Sequence, residues 1–185
     1  IVKYNAGNIV SVANALKRLG VEAIITDSAD ELCSAERIIF PGVGEASTAM
    51  QYLRERGLDQ LIPTLVQPVL GICLGMQLMC TSSDENDALC LGIFPYRVRR
   101  FESDELKIPH TGWNRIEGLR SPLFSGLDEG EYVYFVHGYY VETGDDSTAL
   151  TTYGVEFSAG LNHDNFHAVQ FHPEADRPGV MNWVS

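Results

Sequence analysis

Apolar residues recur along the first half of the chain in two alternating rhythms. Residues 1–4 form a short extended apolar segment. Residues 9–19 then place Ile9, Val12, Ala13, Leu16 and Leu19 on one face of a helix, with Asn8 able to cap its start and Gly20 to end it. Residues 21–26 predict a second strand, 28–34 a short helix, 37–40 a third strand and 67–72 a fourth. This alternation predicts a mostly parallel central sheet with helices on both faces, a three-layer α/β sandwich. The second half changes rhythm. Segments 91–101, 108–116, 132–136, 139–143, 149–152, 155–161 and 167–171 are mostly short, alternating and aromatic, which predicts additional strands, many of them antiparallel. Residues 177–184 predict a terminal helix. No repeat, low-complexity tract or linker divides the chain, so residues 1–185 are read as a single domain. The chain opens inside the apolar pair Ile1-Val2 without a methionine, and the first strand is expected to begin before it.

Composition narrows the function classes. A chain of 185 residues, 45% hydrophobic and 21% charged, has enough apolar material for one sizeable core. It holds no run of eighteen apolar residues, and a soluble cytoplasmic protein is expected. The formal charge of -12 argues against nucleic acid or an anionic membrane as partner, because both demand basic patches. Cysteines stand at 33, 73, 80 and 90 without a Cys-x-x-Cys pair, which points to reduced thiols rather than a zinc site or a disulfide framework. Neither a metal nor a cofactor is expected.

One cysteine has a special setting. Gly71-Ile72-Cys73-Leu74-Gly75 places glycine at both second neighbours of a thiol, between the apolar run Val69-Leu70 and the helix-forming Met76-Gln77-Leu78-Met79. A strand that turns abruptly into a helix crowds the positions two residues either side of its apex, so side chains there must vanish. The apex thiol then stands at a helix N-terminus, a setting that favours thiolate. Cys33, Cys80 and Cys90 lack such flanks and are read as structural, Cys80 within a packed helix. The ends of the predicted strands bring Asn5-Ala6-Gly7-Asn8, Pro41-Gly42-Val43-Gly44 and Cys73 to one edge of the sheet, where open α/β sheets collect ligands. A base is available in Gln170-Phe171-His172-Pro173-Glu174, where His172 and Glu174 share one face of an extended segment and Pro173 holds their relation constant. His110, His137, His163 and His167 have no comparable partner and are read as surface or hydrogen-bonded core residues. The contact between Cys73 and His172 is an expectation from the fold, since spacing alone does not require it.

These motifs together resemble the class I, triad-type glutamine amidotransferases across essentially the whole chain. The residues that carry the likeness are Gly71-Ile72-Cys73-Leu74-Gly75-Met76-Gln77, Phe171-His172-Pro173-Glu174 and Pro41-Gly42-Val43-Gly44. Within that family Tyr4-Asn5-Ala6-Gly7-Asn8, Pro109-His110-Thr111-Gly112-Trp113-Asn114 and Phe135-Val136-His137-Gly138-Tyr139-Tyr140 look like the glutaminase subunits of imidazole glycerol phosphate synthases, enzymes of histidine biosynthesis. The resemblance implies a flavodoxin-like fold and a triad of Cys73, His172 and Glu174. It also implies an oxyanion hole from the N–H of Leu74 and an N–H at Val43, and glutamine binding by Gly42, Gly44, Gln77, Gly138 and Tyr139. The implied partner is a cyclase subunit with an eight-stranded (β/α) barrel, docked at Asn5, Asn8 and Trp113, that receives the ammonia as a heterodimer. The flexible glycines of the 42–44 loop lead us to expect low basal activity until the partner's ligand orders that loop. Gly138 stands where the family usually has Ser, Thr111 where it has Met, and Ala175-Asp176 where it has Lys-Ser. Other readings of the same elbow are a glutaminase subunit of another synthase, an autonomous gamma-glutamyl hydrolase-like enzyme, and a noncatalytic interaction protein.

Overall fold

In the computed structural model residues 1–175 are described. The parallel heart of the fold is three strands. β1 (Ile38–Phe40) pairs with β2 (Val69–Ile72), and β2 pairs with β11 (Phe166–Val169), each pair parallel. Residues 1–4 and 21–26 extend this edge without forming full ladders. Val2 donates to the Ile39 carbonyl at 2.9 Å, and a single parallel bridge joins Val2 to Thr26. The two segments expected as regular strands are thus extended chain held by a few backbone bonds.

Beyond β11 the sheet turns antiparallel. β10 (Val155–His163) pairs with β11, with β9 (Ser147–Tyr153) and with β8 (Tyr139–Val141). β8 pairs antiparallel with β5 (Arg97–Arg100), which lies parallel to β3 (Ser82–Ser83), and β3 closes the sheet against β4 (Ala88–Leu89). A separate antiparallel ribbon joins β6 (His110–Arg115) to β7 (Tyr132–His137). The expected strand over 91–101 survives only at its end. Pro95 lacks an N–H, Gly92 takes φ +70°, and the amides of Leu91, Gly92, Ile93 and Phe94 instead donate to the carbonyls of Leu78, Cys80 and Met79.

Alternation along the strands builds two cores on opposite faces. Ile38, Phe40 and Val69 point to one face, packing with Met50 and Leu53 of α3 (Ala46–Glu55) and Met76 of α5 (Leu74–Leu78). Ile39, Leu70 and Ile72 point to the other, packing with Val12, Ala15 and Leu16 of α1 (Ile9–Arg18) and with Val133, Phe135 and Phe157. α2 (Ala29–Ser34) adds Leu32 to the first core. In α1 the inward stripe is Ile9, Val12, Ala15 and Leu16. Ala13 is half-buried and Leu19, past the last turn, is exposed. Helices α3 and α4 (Leu58–Leu61) occupy a stretch for which no element was expected. Cys80 is fully buried as expected, but Cys33 is exposed, so its role is not core packing. The expected helix over 177–184 lies outside the described residues.

Candidate active site

The elbow is built as its glycines require. β2 ends at Ile72, Cys73 adopts φ +53° and ψ -108°, and α5 begins at Leu74. A side chain at Gly75 would put its Cβ 1.8 Å from the Phe40 carbonyl oxygen, and one at Gly71 would lie 3.0 Å from the Met76 nitrogen. Gly75 admits no side chain and Gly71 admits one only if its neighbours shift, and the apex residue holds a conformation that L-residues adopt only under tertiary constraint. Cys73 is anchored by its own N–H, which donates to the Val169 carbonyl at 2.8 Å.

That bond also explains how His172 arrives. The parallel register sets Val169 beside Ile72, so the chain leaving β11 passes the same end of the sheet as the elbow. His172 N–H donates to the Tyr134 carbonyl at 2.9 Å, and residues Pro173–Ala175 form a 3-10 turn. The expected extended segment is therefore a turn, and it is the turn that folds Glu174 back. Glu174 Oε1 lies 2.9 Å from His172 Nδ1 and also accepts Asn8 Nδ2 at 2.9 Å. His172 Nε2 is buried with no hydrogen-bond partner among the described residues. Burial alone would lower the imidazole's pKa, but the neighbouring Cys73 thiol and the Glu174 carboxylate override it and raise it to about 10. The same pairing, with Asn8 assisting, holds Glu174 below the usual carboxylate range despite its burial. An imidazole held protonated at neutral pH, a carboxylate bonded to its Nδ1–H and an apex thiol beside it are the parts of nucleophilic catalysis.

A cavity of about 320 Å³ opens beside the sulfur. Val43, Gly44, Leu74 and Gln77 line it from the parallel side, and Pro109, Val136, His137, Gly138 and Tyr139 from the antiparallel side. Gly42 is buried behind this wall. A Cβ there would meet the Tyr4 hydroxyl at 2.0 Å, and its carbonyl accepts the Leu74 N–H at 3.2 Å. The Gln77 amide nitrogen is occupied, donating to the Tyr139 carbonyl at 3.1 Å and to Gln170 Oε1 at 3.0 Å.

A family model for glutamine amidotransferase class-I matches residues 1–178. The chain belongs to the class-I glutamine amidotransferase family. This amidotransferase is 57% identical over 176 residues to the imidazole glycerol phosphate synthase subunit HisH of Bacteroides fragilis strain YCH46, covering 94% of this chain and 90% of that protein. It is 41% identical over 184 residues to the HisH subunit of Shewanella loihica, covering 94% and 82%. Among solved structures, a glutamine amidotransferase superposes with a TM-score of 0.77 at 21% identity, covering 98% of this chain and 94% of that one. Another glutamine amidotransferase, from Thermotoga maritima, gives 0.64 at 18% identity, covering 94% and 74%. At such identities the structural matches bear on fold alone, and they agree with the α/β architecture above.

Of the residues expected at the docking surface, Asn5 is exposed, and Trp113 is 55% exposed on β6, edge-on to Tyr134. Asn8 is buried. It precedes α1, but its side chain makes no cap bond and goes to Glu174 instead. Two residues of the candidate site were not singled out from sequence. Glu85 lines the cavity, and its Oε2 accepts the Ala46 N–H at 2.7 Å. Burial raises its pKa, the Ala46 bond opposes this, and Glu45 adds to it. Nothing in its acidic loop, Asp84-Glu85-Asn86-Asp87, distinguishes it. Gln170 is fully buried with Nε2 3.6 Å from the Cys73 sulfur. It was legible only as the residue leading into Phe171-His172.

Proposed function

We propose that this chain is the glutaminase subunit of an imidazole glycerol phosphate synthase, releasing ammonia from glutamine and passing it to a (β/α)-barrel cyclase in the cytoplasm. The observation that carries the reading is the thiol at a strained elbow, beside an imidazole fixed by Glu174 and facing a cavity that fits one amino acid. The HisH relatives at 57% identity support it.

In this mechanism the Cys73 sulfur attacks the side-chain amide carbon of glutamine. His172, already an imidazolium that carries the thiol's proton on Nε2, gives that proton to the departing nitrogen, which yields ammonia and a glutamyl thioester. Water activated by the same imidazole then cleaves the thioester to glutamate. Glu174 keeps Nδ1 protonated throughout and stabilises the imidazolium. The oxyanion of each tetrahedral intermediate takes the Leu74 N–H and an N–H at Val43, once the Gly42 carbonyl turns away from Leu74. Gly44, Gln77, Gly138 and Tyr139 form the substrate walls, with Gly42 supporting them from behind. Glu85, the carboxylate lining the cavity, faces the substrate's α-ammonium group.

Ammonia loses its nucleophilicity once protonated in water, so the product needs a recipient at the cavity mouth. The outward face of the β6–β7 ribbon offers one. Trp113 and Tyr132 are each 55% exposed there, with Val136 between this face and the cavity. Exposed aromatics of this kind anchor partner surfaces. Glutamate release from glutamine, measured for the chain alone and with the barrel cyclase plus its nucleotide, tests the reading. Turnover that depends on the cyclase supports it, full turnover by the free chain favours an autonomous hydrolase, and none in either case sinks it.

A further inference from the structure

Two buried histidines outside the candidate triad form a hydrogen-bond chain whose direction can be worked out atom by atom. His137 Nδ1 lies 2.7 Å from the Tyr139 carbonyl, which can only accept, so Nδ1 carries the proton. Burial pushes the His137 pKa down to about 3 and that of His110 down to about 4, so both rings are neutral. A neutral imidazole has one donor and one acceptor. His137 Nε2 is therefore bare and accepts His110 Nδ1–H at 3.0 Å, and His110 Nε2 faces the amide nitrogen of Asn114 at 3.4 Å. Aromatic walls prevent either ring from turning. His110 is stacked between Phe135 and Tyr153, at centroid distances of 4.9 and 4.0 Å, and His137 packs against Phe101 and Phe157.

The chain continues on the other side of the same carbonyl. Gln77 Nε2 gives one hydrogen to Tyr139 and the other to Gln170 Oε1. With its oxygen used as an acceptor, Gln170 turns its amide nitrogen toward the Cys73 sulfur at 3.6 Å. A donor there favours the sulfur's negative charge as the nucleophile forms.

We propose that His137 and His110 are positioning residues for the nucleophile: their hydrogen bonds and those of Gln77 converge on the Tyr139 carbonyl and hold it, and the Gln77 and Gln170 amides fixed there present an N–H to the Cys73 sulfur. The proposal rests on the reading of Cys73 as the attacking group. It explains why two polar imidazoles occupy an aromatic core that apolar rings would otherwise fill. Loss of one hydrogen bond to a charged group is expected to slow the sulfur roughly tenfold or more.

The experiment compares His137→Phe, which keeps the ring, with His137→Asn, which keeps a donor toward the Tyr139 carbonyl. Gln170→Met serves as the variant at the far end of the chain. The readouts are the rate of Cys73 alkylation by iodoacetamide at fixed pH, resolved by peptide mass spectrometry, and kcat and KM for glutamine in the complex with the cyclase. His137→Phe and Gln170→Met are expected to slow alkylation and lower kcat about tenfold, with His137→Asn recovering most of both. A folded His137→Phe that alkylates at the wild-type rate, or an Asn variant as slow as the Phe variant, overturns the proposal. If His137→Phe does not fold, His110→Phe against His110→Asn makes the same comparison one link earlier. Alkylation needs no turnover, so a wild-type chain inactive on glutamine would sink the glutaminase reading alone.

Discussion

The N–H of Leu74 donates to the carbonyl of Gly42 at 3.2 Å, so the amide that follows the candidate nucleophile is occupied by the neighbouring loop. Tyr4 holds the adjacent Pro41 carbonyl through its hydroxyl, and Gly7 N–H meets the Val43 carbonyl at 3.5 Å. Three successive carbonyls of residues 41–43 are thus engaged, two by the 4–7 segment and one by the start of α5. One missing oxyanion donor lowers turnover about a hundredfold to a thousandfold. Glutaminase activity of the free chain is expected to be about a hundredfold or more below that of the complex with the cyclase and its nucleotide. Steady-state glutamate release checks this, and equal rates would show that the loop does not limit turnover.

Asn8 holds the carboxylate that holds His172. Asn8→Ala removes one charge-assisted bond to Glu174, of about 1.5–3 kcal/mol. The expected result is a kcat lowered roughly tenfold with KM for glutamine nearly unchanged. A kcat equal to wild type would mean that Glu174 is held without Asn8.

The His172 pKa makes stability depend on pH with a definite sign. Its value in the fold, about 10, stands above the ordinary 6.5, so the protonated imidazole stabilises the native state. That contribution is complete below about pH 6.5 and disappears as pH rises through about 10. The difference in melting temperature between wild type and His172→Gln is therefore expected to be largest near neutrality and to shrink toward pH 10.5. A difference independent of pH would refute the pairing.

Glu85→Gln keeps the shape of the cavity wall and removes its carboxylate. If that carboxylate meets the α-ammonium of glutamine, KM rises about tenfold or more, by the strength of a charged hydrogen bond, while kcat changes little. The mirror result, an unchanged KM, would leave Glu85 only the role of anchoring Ala46 at the start of α3.

Trp113→Ala is expected to weaken binding of the barrel cyclase by about 2 kcal/mol, roughly thirtyfold in Kd. Since the indole is 55% exposed, the melting temperature of the free chain should hardly move. Titration calorimetry and thermal melts separate the two effects.

Much of the candidate site was legible in the chain because its causes are local. Gly71 and Gly75 flank Cys73 since a strand-to-helix reversal crowds both positions: a Cβ at Gly75 would lie 1.8 Å from the Phe40 carbonyl oxygen and one at Gly71 only 3.0 Å from the Met76 nitrogen. The parallel core was legible for the same kind of reason, as short apolar runs alternated with helical periods. Helix α3 was missed because its N-terminus carries no capping signal of its own. Glu45 makes no cap bond there, and the Ala46 N–H is served by Glu85 from another loop.

The sequence by itself determined the setting of the candidate nucleophile Cys73, the candidate base His172 and carboxylate Glu174 two residues apart, and the alternation that makes an α/β sheet, since each is written in a few neighbouring residues. Only the tertiary structure decided which partners meet. The register of Val169 beside Ile72 brings His172 to Cys73, and a slip of one residue would turn the strand's buried set to the wrong face. Asn8 was legible as a cap whose side-chain oxygen would accept an N–H of the first helical turn, but the fold places its amide nitrogen against the buried Glu174 carboxylate, to which it donates instead. The His110, His137, Gln77 and Gln170 chain has no pattern in the sequence at all. It exists because sheet packing walls those side chains off from water and leaves each polar atom only the neighbours the fold supplies.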